Sequence, residues 1–189
     1  PEPFIVLAAL QQLLQVLALG PCVPRKDPIG AVRVFKQAAG ASGQRWRLTW
    51  VGDGPLRRRA EAEGRHAGVT FAGRVTEWHK RGFLMNSDIF LHCSRLEGFP
   101  LAVLEAQAAG LPVVGYRAAS MSELVLHGET GLLADDGDPQ VLAEALRRLM
   151  MDARARERMG QRAAASIQER GLVWSETVRK VAAAYQSVL

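Results

Sequence analysis

Short apolar runs, bounded by glycine, proline and polar residues, recur along the first two thirds of the chain. They lie at Leu13–Leu19, RLTWV (47–51), VTFAG (69–73), DIFLHC (88–93) and LPVVGY (111–116). Each has the length and composition of a β-strand. Between them lie amphipathic stretches with helical spacing: Ile29–Ala39, Leu56–Gly64, Glu77–Leu84 and Pro100–Ala109. Strands alternating with helices of this length predict βαβ units and an α/β fold built on a Rossmann-like parallel sheet flanked by helices. After Gly131 the pattern changes. Asp138-Pro139 is a helix start, with Asp as N-cap and Pro at the first helical position. From there to Leu189 the sequence reads as helix, with breaks expected near Gly160 and Gly171. The expected layout is an arm (1–12), an α/β core (13–150) and a helical C-terminal tail (151–189).

The first run sits inside a longer apolar stretch, Phe4–Gly20, interrupted by Gln11, Gln12 and Gln15. A bilayer span takes roughly 20 largely apolar residues, and three amides would enter hydrocarbon. A signal peptide would begin with basic residues, whereas this chain begins Pro1-Glu2-Pro3. A strand at Leu13–Leu19 preceded by an arm at Phe4–Leu10 is expected. An Ala/Leu/Gln-rich helix is the alternative, because periodicity does not separate the two.

Composition narrows the classes. The 189 residues suit one domain, 48% hydrophobic and 23% charged, and aromatics at 6% demand an aliphatic, alanine-rich core. Two cysteines, Cys22 and Cys93, make neither a disulfide scaffold nor a four-cysteine zinc site, and imply a reducing, cytoplasmic setting. The net charge of +5 permits anionic partners. No aromatic-interleaved basic stripe supports nucleic-acid binding. The arginine runs (Arg57–Arg59; Arg147, Arg148, Arg154, Arg156, Arg158, Arg162) alternate with Glu and Ala, as on a solvated helix face. A peripheral contact with the cytoplasmic membrane surface, or with an acidic partner, is the alternative.

Chemistry concentrates in SDIFLHCSRLEGFPLAVLEAQAAGLPVVGY (87–116). A strand ends near Cys93, and a helix is expected to start at Pro100, with proline in the first turn. Gly98, Phe99 and the amides of Leu101 and Ala102 then stand at a helix N-terminus, at the carboxyl end of a parallel strand. Orphan N–H groups and the helix dipole favour an anion there, and open α/β sheets bind ligands at that edge. Glu97 precedes this anion site. Glu105 lies about a turn and a half into the helix, roughly 7 Å along its axis, where a carboxylate can accept hydrogen bonds from ribose hydroxyls. The remaining candidates read more plainly. His92 and Cys93 read as core residues, and Glu123 as a cap, a surface residue or a ligand contact. Gly52 and Gly54 make a Gly-x-Gly whose third glycine position is Arg57, which argues against a nicotinamide site.

With seven residues between Glu97 and Glu105, EGFPLAVLEA resembles the signature of retaining, nucleotide-sugar-dependent glycosyltransferases of the group 1 type, which have the two-domain GT-B fold. PRKDP (24–28), WVGDGP (50–55), VTFAGRV (69–75) and HGETGLLADDGDPQVLAEAL (127–146) resemble further family segments in the same order. The resemblance covers about residues 13–189 and implies the C-terminal, donor-binding half of that fold. It implies that Glu105 binds the ribose, that Glu97 binds the transferred sugar and that Lys26, with Arg25, neutralises the diphosphate. The backbone around Arg74 and Val75 would face the base. Gly54, Gly98, Phe99, Pro100 and Leu101 would complete the substrate contacts. The catalytic pair would be Glu97 and Lys26. No cofactor or metal is implied, the nucleotide-sugar being a substrate. The acceptor would be a glycan or a lipid, held by an N-terminal domain.

The chain departs from that pattern in one contact. The family's Gly-Arg-Leu after the first strand aligns with Gly20-Pro21-Cys22, so the phosphate-binding arginine is Pro21 here. Either that contact is missing or Arg25 replaces it. A non-catalytic nucleotide-binding or interaction module is the competing reading. A GT-B epimerase or phosphorylase is disfavoured by the compact glutamate spacing and by the lack of a pyridoxal-phosphate lysine motif.

Overall fold

A computed structural model describes residues 13–40, 46–118, 120–135 and 137–172. The arm at Phe4–Leu10 and the end of the tail lie outside the described residues.

Six strands form one sheet: β1 Leu14–Leu19, β2 Trp46–Val51, β3 Val69–Gly73, β4 Ile89–His92, β5 Val113–Tyr116 and β6 Gly131–Ala134. Their order is β3-β2-β1-β4-β5-β6, and every pairing is parallel. The register of β1 on β2 runs from Leu14 opposite Trp46 to Leu19 opposite Val51. The helices are α1 Pro28–Gly40, α2 Arg57–Glu63, α3 Glu77–Met85, α4 Leu101–Ala108, α5 Met121–Leu124, α6 Pro139–Met151 and α7 Ala153–Glu169. The strands are apolar on both faces because both faces are covered. Val16, Ala18, Leu48, Trp50 and Leu91 pack in one cluster with Phe35 of α1 and Leu142 and Leu146 of α6. Leu17, Leu19, Val51 and Phe90 pack in the other with Leu84 of α3 and Val103 and Ala106 of α4. Strand order reverses between β1 and β4, and sheets of this kind bind ligands beyond the carboxyl ends at that switch point.

Several sequence expectations shift. Leu14–Leu19 is a strand rather than a helix, fixed by six paired positions on β2. β4 and β5 are one or two residues shorter at their ends than their apolar runs. Pro100 is the cap residue, with extended backbone (φ −77°, ψ 91°), and α4 begins at Leu101. β6 has no counterpart among the expected strands. The break expected at Gly160 falls at Asp152, which ends α6 and caps α7 by accepting from the Ala155 N–H at 2.9 Å. α7 runs straight through Gly160. Among the described residues no helix is long and apolar enough to cross a membrane.

Candidate functional site

The carboxyl end of β1 is shaped by Gly20, at φ +141°. Its N–H donates to Val51 O at 3.0 Å, and its carbonyl accepts from Trp50 Nε1 at 2.9 Å. Gly52 passes so close that a Cβ there would lie 2.0 Å from Gly20 O. Only glycine fits. The chain then makes a 3₁₀ turn at Pro24–Lys26, ended by Asp27 at φ +47°, whose carboxylate accepts from Gly30 N at 2.9 Å as α1 starts. That turn lays the Lys26 stem across Gly20, where a Cβ would stand 3.3 Å from Lys26 Cε.

Lys26 Nζ donates to Glu97 Oε1, and Arg25 Nη1 donates to Oε2 at 3.2 Å. The Glu97 and Lys26 side chains are only 8% and 12% exposed. Ser94 Oγ donates to Arg25 O at 2.9 Å and Ser120 Oγ to Glu97 O at 3.3 Å, tying the loop after β4 to the 3₁₀ turn and to the start of α5. Burial alone would raise the Glu97 carboxyl. The hydrogen bond and the charge of Lys26 outweigh it and hold the group below its ordinary value. It is a fixed carboxylate.

Glu105 stands on α4 across a cleft of about 490 Å³. Lys80 of α3 donates to Glu105 Oε1 at 2.9 Å and pairs with Glu77 at 2.8 Å. Burial opposes charge on Lys80, but the bonds to Glu77 and Glu105 prevail and raise its affinity for the proton. Gly20, Pro21 and Lys26 line one wall of the cleft, and Asp53, Arg74 and Val75 extend it beyond β2 and β3. Asp53 is held ionised chiefly by the Gly54 N–H at 2.7 Å, aided by Arg57 and the charge of Arg74.

Of the residues singled out from the sequence, Lys26, Arg74, Val75 and Glu105 line this cleft, and Glu97 joins it through Lys26. Pro100 is buried beneath the start of α4, while Gly98, Phe99 and Leu101 are exposed. Arg25 lines a different hollow, with Asp27, Arg95 and Leu96. Gly54 packs on the Cys22 backbone, a Cβ there falling 2.7 Å from Cys22 O, and its neighbour Asp53 takes the cleft wall. Sequence reasoning missed Asp53 and Lys80. Glu123 is exposed on α5. His92 is buried beside Phe90 (ring centroids 6.2 Å apart), and among the described residues Nε2 has no hydrogen-bond partner. Burial, helped by the charge of Lys26, pushes its pKa down to about 4. Burial pushes the Cys93 thiol up and the Cys22 thiol up to about 11, leaving neither a ready nucleophile.

This sheet order, with a cleft at the switch point that Lys26 and Glu105 line, is that of an α/β domain of the GT-B fold. The chain belongs to the family described as Glycosyl transferases group 1, whose model matches residues 7–166. It is 33% identical over 164 residues to the lipopolysaccharide core biosynthesis glycosyltransferase LpsD of Rhizobium meliloti, covering 84% of this chain and 46% of that protein. Its fold matches sucrose-phosphate synthase from Thermosynechococcus elongatus (TM-score 0.84, 24% identity, 97% of this chain and 47% of that one). It also matches the C-terminal domain of the group 1 glycosyl transferase LpcC from Francisella tularensis (TM-score 0.68, 19% identity, 82% of this chain and 85% of that one). The chain spans less than half the length of the curated relatives it matches.

Proposed function

We propose that this chain is the donor-binding domain of a retaining glycosyltransferase that moves a sugar from a nucleoside diphosphate to a glycan or lipid acceptor. The observation that carries the reading is the pairing of two ion pairs across one cleft, Lys26 on Glu97 and Lys80 on Glu105. In it Glu105 accepts from the ribose hydroxyls. The diphosphate lies between Lys26 and the first amides of α4, at Leu101 and Ala102, where no side chain caps the helix. Glu97 accepts from hydroxyls of the sugar, and its lysine partner stands ready to stabilise the charge that grows on the leaving diphosphate. The backbone at Arg74 and Val75 faces the base. The LpcC likeness supports a C-terminal place in a two-domain enzyme whose other domain binds the acceptor. Pro21, in the cleft wall where the resemblance implies an arginine, favours the second reading, a nucleotide-binding module without turnover.

Titration calorimetry tests the division of labour. UDP, GDP or ADP should bind, and at one hundred times the dissociation constant should stabilise the fold by about 2.7 kcal/mol. Glu105→Ala should weaken the bare nucleotide and the nucleotide-sugar alike. Glu97→Gln should weaken only the nucleotide-sugar. Equal losses in both variants would refute the assignment.

A further inference from the structure

Glu105 is a flexible side chain on a cleft wall, 38% exposed. Left alone it would sample several rotamers, and ordering it on a ligand would cost entropy. Lys80 prevents this from a different helix. Its ammonium is clamped between Glu105 Oε1 at 2.9 Å and Glu77 Oε2 at 2.8 Å, with Lys80 itself only 22% exposed and Glu77 81% exposed. A carboxylate offers about four acceptor positions. Among the described residues no hydrogen bond to Oε2 of Glu105 is present, so both acceptor positions of that oxygen are left for a ligand. Charge matters equally. Asp53 and Glu105 both face the cleft, and without the lysine two carboxylates would confront an anionic nucleotide.

We propose that Lys80 is the positioning residue of this cleft, holding the Glu105 carboxylate in the orientation that reads the ribose hydroxyls and cancelling its repulsion of the diphosphate. The inference rests on the donor-binding reading given above. It assigns ribose recognition to an α3–α4 pair rather than to one glutamate.

The test uses the whole chain and calorimetry with UDP, GDP and ADP, then the 2′-deoxy form of the tightest binder. Wild-type protein should lose about tenfold in affinity when the 2′-hydroxyl is removed, the range for a hydrogen bond to a charged group. Lys80→Met should bind the ribonucleotide about tenfold more weakly and lose less than about twofold on removal of the hydroxyl. Glu105→Ala should show the same loss of discrimination, and Lys80→Arg should retain it. Unchanged melting of the ligand-free Lys80→Met variant would show that the effect is not structural. Full discrimination in Lys80→Met, or equal weakening of the ribo and deoxy ligands with discrimination intact, would overturn the inference while the donor-binding reading stands. Absence of nucleotide binding by the wild-type chain would sink both.

Discussion

His92 shows how burial, helped by a neighbouring cation, sets a protonation state. The ring lies at the end of β4, 3% exposed, and is held neutral with a pKa of about 4 against an ordinary 6.5. An unfolded chain therefore takes up a proton between pH 6.5 and 4 that the folded one refuses, so folding stability falls as pH drops through that window. With those two values the loss reaches about 2 kcal/mol at pH 5. Glu97 acts in a lower window. Its depressed carboxyl contributes stability present above its ordinary 4.5 and lost as pH falls through the folded value. Urea unfolding at pH 7 and pH 5 separates the two: wild-type protein should lose about 2 kcal/mol, and His92→Leu should lose much less. An equal loss in both would place the titration elsewhere.

At the scale of elements, close backbone approaches decide what composition does not. Gly160 sits inside α7, where alanine would ordinarily stabilise a helix by about 0.5–1 kcal/mol. Here a Cβ would stand 2.1 Å from Gly110 O, just beyond α4. Gly160→Ala should therefore destabilise, by about 1–3 kcal/mol for an overpacked contact, read as a lower urea midpoint; a raised midpoint would show that the helices separate at little cost. The same contact explains why the sequence misplaces the helix break. A glycine mid-helix looks like a stop, but this one admits a neighbouring backbone, and Asp152 does the stopping. β6 escaped notice for a related reason. Its first residue is Gly131, required because a Cβ would lie 2.1 Å from Val113 O, and GLLA has only four residues. The other strands were legible because each is a longer apolar run. Glu97 and Glu105 were legible because one loop and one helix carry both. Lys80 and Asp53 were not, since α3 and the turn after β2 come to the cleft that α4 lines only once the sheet has formed.

At the scale of the whole molecule, the switch point between β1 and β4 forms a cleft that, among the described residues, is lined by the carboxyl-end loops of the sheet, by Lys80 of α3 and by α4. Sugar transfer needs an acceptor hydroxyl held within reach of the anomeric carbon, and it needs water kept out. The cleft residues described here are committed to ribose, diphosphate and donor sugar in the proposed reading, and none of them forms an opposing wall. Positioning is the largest contribution left unsupplied: well-oriented reactants gain on the order of 7–11 kcal/mol. These 189 residues, produced alone, should therefore bind a nucleotide-sugar and turn it over slowly or not at all. Supplying an N-terminal domain from a group 1 relative, fused or in trans, should raise the release of nucleoside diphosphate by orders of magnitude. The measurement is that release across a panel of UDP-, GDP- and ADP-sugars, with and without the added domain. No gain on adding a domain that itself folds and binds acceptor would favour the module without turnover, with Pro21 as its first suspect. Pro21→Arg in the same fusion then distinguishes a missing phosphate contact, which the substitution would restore, from a cleft that does not support transfer.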